Sequence, residues 1–129
     1  MTDQSSETEI RAVIESWAKA VRDVDMEGIL ARHTDDILMF DVPLPLQWRG
    51  KESYKRTWEL FFKYSSGGEG SFDLNELQVT AGDSVAFAHA LLDVAGNIAR
   101  LTVGLKKVDG DWLIAHEHHS YPLELESSG

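Results

Sequence analysis

The sequence predicts a segregated α+β fold, and three observations carry that expectation. Apolar residues recur at helical spacing in the first half of the chain, as in Ile10, Val13, Ile14, Trp17, Ala20 and Val21. The second half reads as long strand-like stretches divided by turn signals at Ala81-Gly82-Asp83, Ala95-Gly96-Asn97 and Asp109-Gly110. The two patterns do not interleave as β/α units would require. Long antiparallel strands twist and curl. The expected form is therefore a cone-shaped α+β roll, a curved antiparallel sheet with three helices on its concave side and a cavity between them.

The elements follow in order. Residues 1–5 are polar and expected to fray. Ser6-Glu7-Thr8-Glu9 fits a capping box, which opens a first helix from about Glu7 to about Arg22. Asp25 can cap a second, shorter helix with Met26, Ile29 and Leu30 on its apolar side, ending near His33 and Thr34. Ile37 to Val42 reads as a strand closed, or moved to a sheet edge, by Pro43 and Pro45. Leu46 to Arg49 is a short extended piece stopped by Gly50. Lys51 to Tyr64 forms the third helix, with Tyr54, Trp58, Phe61 and Phe62 on one face. After the loop Ser65 to Gly70 come strands at Phe72 to Thr80, Ser84 to Val94, Ile98 to Val108 and Asp111 to Tyr121; residues 124–129 have nothing to bury and are expected to be disordered.

With 129 residues and no linker or internal repeat, the chain is expected to be one domain. The absence of cysteine excludes disulfides, thiolate metal sites and a thiol nucleophile. A net charge of −10 disfavours nucleic-acid backbones and anionic lipid. No apolar run approaches a membrane span and the polar start is not a signal peptide, so a cytoplasmic protein is expected.

The stretch Asp111 to Tyr121 holds three of the five histidines. A two-residue period puts Trp112, Ile114, His116, His118 and Ser120 on one face, and Leu113, Ala115, Glu117, His119 and Tyr121 on the other. The first face runs from apolar residues to imidazoles and a hydroxyl, as a strand entering a pocket does. His116 and His118 are then candidate acid/base groups, because imidazole titrates near neutral pH. The alternative is that this face meets the helices or a partner subunit. Glu117, His119 and Tyr121 become candidates for a dimer surface. A metal held by His116 and His118 with Asp41 or His89 lacks supporting spacing, and neither metal nor cofactor is expected. His33 is expected at a helix end, where the dipole favours a cation. His89 alternates with Val85, Phe87 and Leu91 and reads as an interior histidine near the ligand. Trp17, Trp48, Tyr54, Trp58 and Phe61 are candidates to line a pocket for a flat hydrophobic ligand, or else plain core.

Two segments carry a family resemblance. Phe40-Asp41-Val42-Pro43-Leu44-Pro45-Leu46-Gln47-Trp48-Arg49-Gly50 and Asp109-Gly110-Asp111-Trp112-Leu113-Ile114-Ala115-His116-Glu117-His118-His119-Ser120 resemble SnoaL-like and ketosteroid-isomerase-related proteins of the nuclear-transport-factor-like, or cystatin-like, fold. The resemblance implies the cone, a homodimer and a small-molecule site, and makes Asp41 the match to the isomerase general base. Structurally, Asp41 can equally accept backbone hydrogen bonds before Pro43. The chain departs from the isomerase pattern at the oxyanion hole. Trp17 stands where that family has a tyrosine, and Arg100 and Thr102 are the polar residues where it has a second acid. Steroid isomerisation is therefore not expected. The reading carried forward is isomerisation, cyclisation or dehydration of a hydrophobic, polyketide-like or aromatic compound. Asp41 acts as base, His116 and His118 as proton donors, and Arg100 as the anion-stabilising group. Ser120, Trp17, Trp48, Tyr54, Trp58, Phe61 and His89 stand at the ligand. A non-catalytic binding or association module is the alternative.

Overall fold

No glycine or proline interrupts the chain before Gly28, so the apolar stripe of the first segment can ride on one long helix. The computed structural model describes residues 2–125. In it α1 spans Thr2–Arg22 and buries Ile10, Val13, Ile14, Trp17 and Val21 along one face. The helix starts at Thr2 rather than near Glu7, because adding residues to a formed helix costs little once a nucleus exists. Residues 2–5, expected to fray, are part of this helix, while Met1 and residues 126–129 lie outside the described residues. Asp25 caps α2 (Met26–Leu30), its carboxylate accepting the Gly28 N–H at 3.1 Å.

The next boundary departs from expectation. Arg32 at φ 59° turns the chain, and β1 spans His33–Phe40, so His33 is a strand residue and not a helix end. After β2 (Trp48–Arg49), α3 runs over Lys51–Phe61 and stops short of Tyr64. The meander follows as β3 (Asp73–Ala81), β4 (Val85–Val94), β5 (Asn97–Val108) and β6 (Asp111–Ser120).

The six strands form one sheet in the order β2-β1-β6-β5-β4-β3. All neighbours are antiparallel except β1 and β6, which run parallel, so the sheet is mostly rather than wholly antiparallel. α1 packs on β3 and β6, and α3 on β1 and β2. Two arginines tie α1 to the meander: Arg11 Nη2 donates to Leu77 O at 3.0 Å and Arg22 Nη1 to Phe72 O at 2.9 Å. Gly67 closes the same corner at φ 76°, where a Cβ would stand 2.6 Å from Arg22 O. Among the described residues no helix is long and apolar enough to cross a membrane.

One irregularity decides what each face carries. In β5, Ala99, Leu101, Val103 and Leu105 point inward without interruption. On β6, however, Gly104 is opposite His116 while Leu105 is opposite Ile114. Ala115 is the extra residue of a β-bulge, and beyond it the alternation shifts by one. Trp112 and Ile114 are buried on the inner face before the bulge, and Glu117 and His119 after it. The expected continuation of that face through His116, His118 and Ser120 is therefore corrected.

Deleting Ala115 would remove the extra residue and still leave Trp112, Ile114, Glu117 and His119 on the inner face, because Gly104–His116 and Leu105–Ile114 then become consecutive pairs. The deletion is therefore expected to cost no more than about 2 kcal/mol in urea denaturation, and Ala115→Gly about 1 kcal/mol or less. A loss of more than about 4 kcal/mol in the deletion variant would show that Ala115 does more than take up the extra position in the strand.

Candidate functional site

The cone is open between the inner face of the sheet and α3. A cavity of about 420 Å³ lies there, within the usual range of about 300–1,000 Å³ for small-molecule sites. Its wall is largely apolar: Met39 and Leu92 from the sheet, Trp58 and Phe61 from α3, and Phe72 ahead of β3. The aromatic rings meet edge to face, Trp58 with Phe61 at 5.4 Å and with Phe72 at 5.6 Å between centroids. Asp41, Thr57, His119, Tyr64 and Tyr121 bring polar groups to the lining, beside the indole N–H of Trp58.

His119 is a lining residue set in the interior, 7% exposed, and its Nε2 donates to Glu117 Oε1 at 3.1 Å. Glu117 is fully buried and is the hub of a network drawn from four elements. Its Oε2 accepts from His33 Nε2 of β1 at 3.0 Å and from the Tyr54 hydroxyl of α3 at 2.5 Å. Trp17 Nε1 of α1 in turn donates to that hydroxyl at 2.9 Å. Burial by itself pushes the Glu117 carboxyl up. The hydrogen bonds from His119 and His33, and the positive charge those rings can carry, outweigh burial and hold it at about 2. Tyr54 is driven well above the ordinary phenol range by burial and by the adjacent Glu117 charge, so it remains a donor.

His33 Nδ1 lies 2.8 Å from Ala31 O while its Nε2 faces the Glu117 carboxylate, so the ring is fixed at both nitrogens. His119 uses Nε2–H on Glu117, and its Nδ1 finds no partner among the described residues. Nδ1 is thus the nitrogen left without a partner, on a ring that lines the cavity and is oriented by a buried carboxylate.

At the rim, Asp41 Oδ1 accepts the N–H of Val42 at 2.8 Å, the backbone bond expected of an Asp before Pro43. Asp41 also lines the cavity. Burial and the Asp41 charge raise the Tyr121 hydroxyl above its ordinary range, which keeps it protonated as a donor.

Of the residues expected at the ligand, Asp41, Trp58 and Phe61 line the cavity and the others do not. His116 and His118 lie on the outer face with their rings against Phe40, and His116 Nδ1 is held by Leu38 O at 2.8 Å. His89 and Arg100 are exposed on that outer face, and Arg100 Nε donates to Ser120 Oγ at 3.2 Å. Both expectations assumed that β4 and β5 turn those positions inward, yet Ala88, Ala90, Ala99 and Leu101 occupy the inner face. Trp17 and Tyr54 lie beneath the cavity in the Glu117 network, and Trp48 sits on the edge strand β2. The residues missed are Glu117, His119, Tyr121 and His33. Glu117, His119 and Tyr121 had been assigned to a dimer surface by unbroken alternation. A carboxylate and a histidine two apart on one strand face was a signal in the sequence, and the bulge hid which way it pointed. Among the described residues no three histidine, aspartate or glutamate side chains stand together to hold a metal ion.

Residues 10–124 match the model of the SnoaL-like domain. This chain belongs to the SnoaL-like domain family. A solved NTF2-like protein of unknown function from Pseudomonas putida KT2440 is 38% identical, with 95% of this chain and 91% of that chain covered and a TM-score of 0.86. A proposed dehydratase of the NTF2-like family from Streptomyces avermitilis is 12% identical, covers 94% of this chain and 99% of its own, and has a TM-score of 0.80. A proposed ketosteroid isomerase from Parabacteroides distasonis is 18% identical over 88% of this chain and 85% of its own, with a TM-score of 0.67. Likeness at the last two identities establishes the cystatin-like fold alone. A search of curated proteins found no match.

The Glu117 carboxyl links this SnoaL-like domain's stability to acid. Its folded value of about 2 lies below the ordinary 4.5, so its stabilisation is present above the unfolded value and is lost as pH falls from about 4.5 towards 2. The shift corresponds to roughly 3 kcal/mol. Glu117→Gln is expected to lower the urea midpoint at pH 7 and to flatten its dependence between pH 5 and 2. An unchanged acid dependence in that variant would assign the effect to other carboxylates.

Proposed function

We propose that this SnoaL-like domain performs acid/base chemistry on an apolar small molecule bound in the cone, with His119 as the base. The observation that carries the reading is the orientation of one ring. His119 Nε2–H is committed to an ionised buried carboxylate, and its Nδ1 is left for a ligand in a cavity walled by Trp58, Phe61 and Phe72. A base so held can take a proton from carbon next to a carbonyl, or from a hydroxyl, and return it elsewhere. Tyr121, kept protonated at the rim, is the donor on the same side of the chain, and Asp41 is the carboxylate at the opening. This supports isomerisation, cyclisation or dehydration of a hydrophobic compound, with the proton-handling groups moved from His116 and His118 to His119 and Tyr121. Arg100, on the outer face, takes no part.

The test is hydrogen–deuterium exchange at the carbon next to the carbonyl of bicyclic ketones such as 2-tetralone, followed by NMR. The protein should accelerate exchange over buffer, and His119→Ala should lower that rate by about 100-fold or more while leaving ligand binding in place. Exchange at the buffer rate, or an equally active His119→Ala, would reduce the site to a binding pocket.

An association role has its own observation. Val85, Phe87, Leu91 and Ile98 are exposed on the outer face of β4 and β5, an apolar patch of the kind that marks an interface. A second copy pairing there would cover it and give a homodimer through the sheet face away from the cavity, with β4 and β5 residues in place of Glu117, His119 and Tyr121. Light scattering should then give twice the monomer mass, and Phe87→Glu should return it to the monomer value. A monomeric wild type would end this reading.

A further inference from the structure

Acid/base work by His119 and Tyr121 leaves one lining group without a task. Asp41 has one carboxylate oxygen on the Val42 N–H and the other free of any partner among the described residues. It stands at the mouth of an apolar cavity to which no lysine or arginine contributes. The chain around it carries a net charge of −10. A carboxylate ligand would meet Asp41 with no cation to offset it, and a neutral ligand would leave Asp41 unused. Two exposed tyrosines line the same cavity, Tyr64, 86% exposed, and Tyr121, 40% exposed, the second within reach of the Asp41 charge. A carboxylate beside aromatic faces attracts an ammonium through both its charge and the negative ring faces. Deeper in, Trp58, Phe61 and Phe72 form a ring-lined wall suited to a flat hydrocarbon.

We propose that the cavity takes an apolar amine, its ammonium on Asp41 between Tyr64 and Tyr121 and its aromatic end against Trp58, Phe61 and Phe72. The inference rests on the reading that the cone is a small-molecule site, and it is independent of whether His119 acts on what is bound. It gives Asp41 the role of an anchor for the ligand rather than that of the base.

The test is calorimetric titration at pH 7 and low salt with three matched probes: 2-(2-naphthyl)ethylamine, the corresponding alcohol and 2-naphthylacetate. The amine should bind about tenfold more tightly than the alcohol, the carboxylate should bind most weakly, and added salt should erode the amine's advantage. Asp41→Asn, whose side-chain oxygen can still accept the Val42 N–H, should abolish the amine's advantage and leave the alcohol unchanged. Asp41→Glu, which keeps the charge, should retain part of it. An alcohol that binds as tightly as the amine, or an advantage that survives Asp41→Asn, overturns the inference while the cavity reading stands. Failure of all three probes to bind overturns both.

Discussion

The buried Glu117 carboxylate constrains the rest of the molecule. Taking a carboxylate out of water costs several kcal/mol unless its lone pairs are met by donors. Here the donors come from distant parts of the chain: His33 from β1, Tyr54 from α3, and His119 from β6 itself, with Trp17 of α1 holding the tyrosine. Each helix or strand that supplies one is thereby fixed relative to β6. An apolar residue in that place could pack the elements as tightly, but it would not orient the His119 ring. The network is better understood as specifying one geometry than as a large net source of stability.

The bulge at Ala115 makes that network possible. Were Ala115 paired as an ordinary strand residue, the face that buries Trp112 and Ile114 would continue into His116 and His118, and Glu117 would point to solvent. One additional residue divides the strand into an apolar half and a polar half on the same inner face. The displaced imidazoles go to the outer face against Phe40, where His116 bonds to the β1 backbone at Leu38.

Electrostatically the cone differs from what a fold-level analogy implies. Its interior combines a histidine backed by a carboxylate with an acidic rim, and no arginine or lysine lines it. Relatives of this fold at 12–18% identity include a proposed dehydratase and a proposed ketosteroid isomerase, and the fold is compatible with both. The arrangement of Asp41, His119 and Tyr121 therefore says more about chemistry than the architecture does.

Helical periodicity, the Asp25 cap and the regularly spaced turns were legible locally, and by themselves they determined the α+β class, the element order and the aromatic face of α3. The resemblance in the Phe40–Gly50 and Asp109–Ser120 segments matched the family to which the chain belongs, and Asp41, Trp58 and Phe61 were singled out and line the cavity. Local pattern could not locate the point at which alternation breaks, because a bulge is defined by two residues facing one on another strand, and that pairing exists only in the folded sheet. His33 was misread for the same reason. Its helix-end position was an inference from neighbours in sequence, whereas its place beside Glu117 depends on β1 lying parallel to β6, across most of the chain. Tertiary structure alone decided which histidine faces the cavity, since the face of a strand residue is settled by register and register by long-range pairing.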